Sequence, residues 1–235
     1  MLVFALAGVV SIKSAEPGKV EGKAIVRTIS GTATYSTGGS SMPLKVNMEL
    51  ARGTTIKTGP DSFVLMNVNG VSSVVRVDAD TTMGIDKMLR IGPGREGDTE
   101  TMLNLSVGSI LGQVKKVSAN SNYEIKTPHG VAGIRGTDFQ ITVLQLPNGQ
   151  YQVTYTSVQG LVYVAVNIGG TMQTRVLHDG ESWTPGSGEI FPTPVNLLNL
   201  WRNIINGFPL PPLPPGLPPP PPIIWHPPGQ KPSSG

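Results

Sequence analysis

The sequence predicts an all-β protein: short strands in a twisted sandwich or solenoid-like stack, followed by one short C-terminal helix and a polyproline tail. Composition is the first reason. Of 235 residues only 14% are charged, where soluble domains average about 25%, and the chain holds 29 Gly and 22 Pro. A helical bundle needs many Lys, Glu and Leu at helical spacing, whereas frequent Gly and Pro suit short strands broken by turns. Gly never settles into every third position, which excludes a collagen-like chain. The second reason is period-two alternation. Tyr151, Val153 and Tyr155 alternate with Gln152, Thr154 and Thr156, and Phe139, Ile141 and Val143 alternate with Gln140 and Thr142. The third is the turn chemistry between such runs: Gly59-Pro60-Asp61, Asn69-Gly70, Pro147-Asn148-Gly149, Gly169-Gly170 and His178-Asp179-Gly180.

Taken from the N-terminus, residues 1–10 form an apolar run ending in small residues, which reads as the apolar half of an export signal over residues 1–15. Lys13 stops the run short of the roughly 18–20 apolar residues a membrane span requires. Residues 20–185 read as strands throughout, about ten of them, with no helix before residue 193. Phe63 to Met66 is apolar on both faces, as in a strand buried on both sides. Residues 90–99, rich in glycine and containing Pro93, read as a loop. Glycines recur near strand ends without a strict repeat.

A short amphipathic helix is expected over residues 193–207. Thr193 offers a cap, Pro194 suits the first helical position, and Gly207 marks the stop. Leu197, Trp201, Ile204 and Ile205 fall on one stripe, widened by Leu198 and Leu200, which should dock on the β domain. Residues 208–235 form a proline-rich tail; a polyproline II spacer there spans roughly 60 Å at about 3.1 Å per residue. Ile223, Ile224 and Trp225 are its one large apolar cluster and the candidate for an anchoring contact.

Charge and cysteine narrow the function. A net charge of +3 with Lys115-Lys116 as the longest basic doublet does not make a phosphate-tracking surface, so nucleic acid is not an expected partner. With no cysteine there are no disulfides, thiolate zinc sites or thiol nucleophiles. Gly92, Gly94 and Gly97 match a dinucleotide fingerprint in spacing, but Pro93 interrupts it and acidic residues follow, without a βαβ unit. Asp78 and Asp80 could share one strand face, yet Met83 stands where a calcium loop needs glycine. His129, His178 and His226 neighbour different turns and lack zinc-site spacing. No nucleophile-elbow motif is present. The sequence therefore predicts no enzyme, no catalytic residue, no metal site and no cofactor; a hydrolase of envelope polymers using His129 or His178 is the outlying alternative.

One constellation stands out. Tyr123-x-Ile125-x-Thr127-Pro128, then Val131-Ala132-Gly133-x-Arg135-Gly136-Thr137-x-Phe139-x-Ile141, closely resembles the core of the FecR domain of bacterial envelope proteins. Leu50, Gly53, Ile56, Thr58, Gly59 and Ser62 resemble its early turn, and Leu103, Leu105 and Gly108 the strand before the core. Val158, Gly160, Val162 and Val164 resemble the return strand, and Leu177, Gly180 and Glu181 the closing turn, so the likeness spans about residues 20–185. Thr127, Pro128, Gly133, Arg135, Gly136, Thr137 and Phe139 are the motif residues, with a mainly structural role expected. Gly136 allows a close turn. Phe139 points inward, and Arg135 is expected to lay its guanidinium across backbone carbonyls at a strand end. Arg135 is also the candidate ligand contact, because a bidentate donor in a turn can hold a carboxylate.

The resemblance implies a periplasmic β domain, found in regulators that relay a signal from an outer-membrane iron-siderophore receptor to a sigma factor. Those regulators place a cytoplasmic anti-sigma segment and one membrane span before the domain; this sequence shows neither, and carries a proline tail where they meet the receptor. The expectation is thus a stand-alone exported protein, in the periplasm, cell envelope or secreted, that acts as a non-catalytic binding or scaffold module without a membrane span in its mature form. The alternative is a periplasmic component of transmembrane signalling to a sigma factor. Partners are expected to be envelope proteins, with β-augmentation or self-association through edge strands as the simplest binding mode.

Overall fold

The computed structural model describes residues 18–70, 73–92, 98–115 and 118–208. The expected export signal, the proline tail beyond Phe208 with its Ile223–Trp225 cluster, residues 93–97, Lys116 and His226 lie outside the described residues. In chain order the strands are β1 (Lys19–Glu21), β2 (Ala24–Ser30), β3 (Ala33–Ser36), β4 (Met42–Pro43), β5 (Glu49–Leu50), β6 (Thr55–Thr58), β7 (Phe63–Val68) and β8 (Ser73–Val77). There follow β9 (Thr82–Ile91), β10 (Asp98–Val114), β11 (Asn122–Thr127), β12 (Gly130–Gln145), β13 (Tyr151–Ile168), β14 (Thr171–Leu177), β15 (Glu181–Trp183) and β16 (Phe191–Pro192). A single helix, α1 (Val195–Asn206), closes the described chain.

All sixteen strands belong to one open mixed sheet, and the all-β expectation holds. The strands are not all short: β10, β12 and β13 run for 17, 16 and 18 residues. Each of them changes neighbours part-way along. The first half of β10 lies between β9 and parallel β11, and its second half between β8 and β12. The change falls near Gly108, at φ +98°. In β12 and β13 the corresponding breaks are Gly136 (φ +62°) and Gly160 (φ +96°), where the β12–β13 register shifts. These bends let one sheet fold over a shared core, which draws Val26, Ile56, Met66, Met83, Leu103, Ile125, Phe139, Tyr155 and Trp183 from strands all along the chain. Of the loop expected over residues 90–99, Arg90 and Ile91 belong to β9 and Asp98 and Thr99 to β10.

A corner built the same way recurs three times. A buried hydroxyl follows a residue in the left-handed region and faces a left-handed glycine on another segment. Ser62 follows Asp61 (φ +51°) and faces Gly31; Thr81 follows Asp80 (φ +51°) and faces Gly108; Thr137 follows Gly136 and faces Gly160. In each corner the hydroxyl accepts the N–H of the residue after that glycine: Thr32 at 2.9 Å, Ser109 at 2.9 Å and Leu161 at 3.2 Å. In each it also donates to the carbonyl two residues before itself, Pro60 (2.8 Å), Ala79 (3.0 Å) or Arg135 (3.0 Å). The hydroxyl thereby satisfies backbone groups that the bend removes from the strand ladder.

Helix α1 covers the outer face of the sheet. Leu198, Ile205 and Phe208 are buried against Leu65, Val74, Leu111 and Val158, with Trp201 and Ile204 packed alongside. This second cluster is why β7 is apolar on both faces. The expected stripe is off by one residue at its start, because Leu198 is buried while Leu197 is 36% exposed. Thr193 does not cap the helix. Its hydroxyl bonds Ser182 Oγ at 2.6 Å, and Pro194 occupies the cap position, its carbonyl accepting the N–H groups of Leu197 and Leu198. No described helix is long and apolar enough to cross a membrane.

Candidate functional site

The motif residues converge on β11, β12 and the turn between them. Thr127 Oγ1 donates to the Gly130 carbonyl at 3.2 Å and meets the Tyr155 hydroxyl at 2.6 Å. Burial pushes the Tyr155 phenol up to about 12, only partly opposed by that hydrogen bond. Pro128 sits in the β11–β12 turn, where His129 Nε2 donates to the Tyr151 carbonyl at 2.7 Å. Phe139 is fully buried and lies over Gly112, its partner on β10; a Cβ on Gly112 would overlap the ring. The Tyr123 ring is 6.5 Å from Phe139, and burial lifts its phenol well above the ordinary tyrosine range while Ser73 Oγ donates to it.

Gly136 and Thr137 form the third corner. Thr137 Oγ1 donates to the Leu161 carbonyl at 2.7 Å, and the Gly160 N–H is taken by Asp179 Oδ1 at 2.6 Å. A Cβ on Gly160 would stand 2.8 Å from the Gly136 carbonyl oxygen. Next to the corner, the half-buried Asp138 carboxyl is raised above the usual Asp range by desolvation, against a lowering hydrogen bond from Gln113. These two residues, with Lys115 and Gln159, line a cleft of about 230 Å³.

Arg135 differs from its neighbours. Its side chain is exposed and makes no hydrogen bond, ion pair or ring contact with any described residue, so the guanidinium does not lie across carbonyls as expected. The other two corners hold Pro60 and Ala79 at the equivalent place, two residues before the hydroxyl, so the corner uses the carbonyl there and not the side chain. Arg135 stands instead on an open sheet face. Strand register sets Met102, Glu124, Gly133, Tyr163 and Val176 in one row across β10 to β14, with Arg135 in the next row opposite Leu161. Gly133 needs neither a left-handed φ nor extra space, since a Cβ there would come no nearer than 3.8 Å to Tyr163. Its missing side chain leaves a notch of about 190 Å³ bordered by Arg135, Tyr163, Asn122 and Ser121.

Farther along the same face, a cleft of about 510 Å³ is bordered by Arg52, Asp86, Lys87, Met102 and Lys126. Lys126 pairs with Asp86 at 3.2 Å and Lys87 with Glu100, whereas Arg52 has no partner among the described residues. Glu124 on the same face also lacks an ion pair among the described residues and accepts only from Asn122 Nδ2, at 2.8 Å.

The remaining candidates do not assemble. Asp78 accepts from Arg76 Nε at 2.6 Å, and Asp80 turns the chain after β8, so the two share no strand. His178 lies in the β14–β15 turn, where its N–H donates to Glu181 Oε2 at 2.8 Å. Among the described residues no three His, Asp or Glu side chains could hold a metal ion. Sequence reasoning gave Ser62 only as part of an early turn, and it missed Thr81, Gly112 and Tyr163. The readable signal for Ser62 and Thr81 was an Asp immediately before a Ser or Thr at a strand end.

Residues 54–163 match the FecR protein family. That segment, 110 of the 235 residues, is similar to a FecR domain. The match begins just before β6, ends within β13 and takes in every motif residue of β11 and β12. FecR domains are signalling-related and belong to envelope-associated regulators. Two crystal structures of a candidate anti-sigma factor from Parabacteroides distasonis ATCC 8503 are similar to this chain, at 15% and 14% identity and TM-scores of 0.46 and 0.47. Each alignment covers 63% of this chain and 64% or 63% of the other, so this chain spans under two thirds of those proteins. No curated protein matches the sequence.

Proposed function

We propose that this chain is a non-catalytic, exported protein-binding or scaffold module of the bacterial periplasm or cell envelope, which recognises a carboxylate-bearing segment of another envelope protein at the Arg135 notch. One observation carries the reading: Arg135 is the motif residue that the corner does not use, and it stands unpaired beside the gap left by Gly133. An exposed guanidinium offers two parallel donors to a carboxylate, and Tyr163 supplies an aromatic wall. In this reading residues 1–15 are the export signal, residues 20–185 the β domain, residues 193–207 its docked helix, and residues 208–235 a spacer.

Crosslinking in intact cells followed by mass spectrometry tests it, on the full chain, on Arg135→Glu and on a chain ending at Phe208. The last endpoint keeps α1, which covers apolar sheet residues. Specific crosslinks to one envelope protein that Arg135→Glu abolishes are the expected result. Crosslinks that survive in Arg135→Glu and vanish on truncation move the site to the tail and overturn the notch.

A second reading follows from the FecR match itself: a periplasmic component of iron-siderophore or other transmembrane signalling to a sigma factor. Under it, deletion of the protein changes transcription of an uptake system. An unchanged transcriptome leaves scaffolding alone.

A further inference from the structure

Among the described residues five strands pair on one side only, and four of them are short and guarded. β1, β4, β5 and β16 have three residues or two, and they carry Lys19 and Glu21, Pro43, Glu49 and Pro192. Short length, charge and proline are the usual means of keeping a sheet edge from pairing with another chain. β14 is neither short nor guarded by proline, and its one charge, Arg175, lies over the Trp183 ring. It has seven residues, Thr171-Met172-Gln173-Thr174-Arg175-Val176-Leu177, with one charge and no proline. It pairs with β13 alone.

The hairpin fixes which groups of β14 are free. Gly169 and Gly170, at φ +58° and +85°, form a two-residue turn closed by Ile168 and Thr171. The closing pair of such a hairpin exchanges both backbone bonds, and bonded and non-bonded pairs then alternate. Met172, Thr174 and Val176 therefore point their N–H and C=O groups outward. The side chains of the same three residues are exposed on the open face, where Met172 is 63% and Val176 39% accessible. Arg175 turns the other way, over the Trp183 ring at 5.3 Å, and its Nη1 donates to the Thr174 carbonyl at 2.9 Å. A carbonyl has a second lone pair, so that contact leaves room for another donor.

We propose that this edge pairs antiparallel with the same edge of a second copy of the chain, about a two-fold axis at Thr174. This register is self-complementary. Thr174 meets its own copy, Met172 meets Val176 on the exposed face, and Arg175 meets Gln173, so no like charges are opposed. All three outward residues exchange both of their backbone bonds across the axis. The pairing extends the sheet from one copy into the next and leaves the Arg135 notch open on each.

The absence of cysteine makes a clean test. Facing residues of a bonded antiparallel pair have Cα atoms about 5.5 Å apart, within disulfide reach. Under mild oxidation Thr174→Cys is expected to give a covalent dimer and Thr171→Cys none. Sedimentation of the unmodified chain is expected to show a concentration-dependent dimer. Thr174→Pro removes only an outward N–H and Val176→Lys sets a charge in the seam; each should weaken the dimer by about tenfold or more in Kd. A wild-type chain that stays monomeric, or a dimer that both variants leave unchanged, overturns the proposal. So does equal crosslinking by Thr171→Cys. Should Thr174→Pro disturb folding, Val176→Lys, exposed on the surface, decides alone.

Discussion

The corner at Gly108 and the corner at Gly160 are built from the same bonds and differ in what surrounds them. Thr81 and Thr137 each accept the N–H after the facing glycine and share their one hydroxyl proton between the carbonyl of that same residue and the carbonyl two residues back. Around Thr81 the flanking residues are Ala79, Asp80 and Thr82; around Thr137 they are Arg135, Gly136 and Asp138. What the corners share is therefore structural: a hydroxyl, a left-handed residue before it and a left-handed glycine opposite. What only one has, the free guanidinium and the half-buried carboxyl, lies outside that requirement and is where function has room to act.

The largest expected effect tests the shared part. Gly108→Ala and Gly160→Ala put a Cβ on Thr81 or 2.8 Å from the Gly136 carbonyl oxygen, at strained φ in both cases. Each is expected to cost about 3–5 kcal/mol in urea unfolding. If either substitution proves neutral, the two corners are not equivalent. Next come Thr81→Val and Thr137→Val, which keep the shape and strand buried backbone groups; a loss of about 1–3 kcal/mol is expected for each, and similar for both.

A smaller effect separates the corners by pH. The folded Asp138 carboxyl titrates above its unfolded value because burial disfavours the charged form. Between those two values the folded chain holds the extra proton, so stability falls as pH rises through the window and is level above it. Asp138→Asn should flatten that part of a stability-against-pH curve and leave the neutral-pH chain more stable. A retained slope would assign it to another group. At the alkaline end, stability should fall again above the ordinary tyrosine value of about 10, because the buried Tyr123 and Tyr155 phenols ionise only on unfolding; Tyr155→Phe should lessen that decline and leave the part due to Tyr123.

The smallest effect on stability is expected at Arg135. Arg135→Ala should change unfolding free energy by no more than about 0.5 kcal/mol, since the side chain has no partner in the described structure. A larger loss would return Arg135 to a structural role.

Much of this architecture was legible in the residues. Tyr151 to Tyr155 and Phe139 to Val143 keep their alternation as strands, the five turn signals all lie between strands, and the Arg-Gly-Thr-x-Phe segment marks the domain. The three-fold corner was not legible. Its hydroxyls reach partners 30, 28 and 24 residues away, and the left-handed position is filled by Asp twice and Gly once, so no repeat is visible in the letters. Strand lengths were misjudged for a related reason: Gly108, Gly136 and Gly160 look like breaks, yet each strand continues through its bend.

Local chemistry was enough for the sequence by itself to determine strand, turn, helix and the family of the domain, because alternation, left-handed glycines and proline act within a few residues of themselves. Tertiary structure alone decided which helix face is buried, since Leu197 and Leu198 are both leucines and only the cluster of Leu65, Val74, Leu111 and Val158 chooses between them. It also decided that Thr137 is a fastener and Arg135 is free. Two polar residues of one motif, on either side of Gly136, take opposite roles because the bend there turns one into the core and leaves the other on the open face of the sheet.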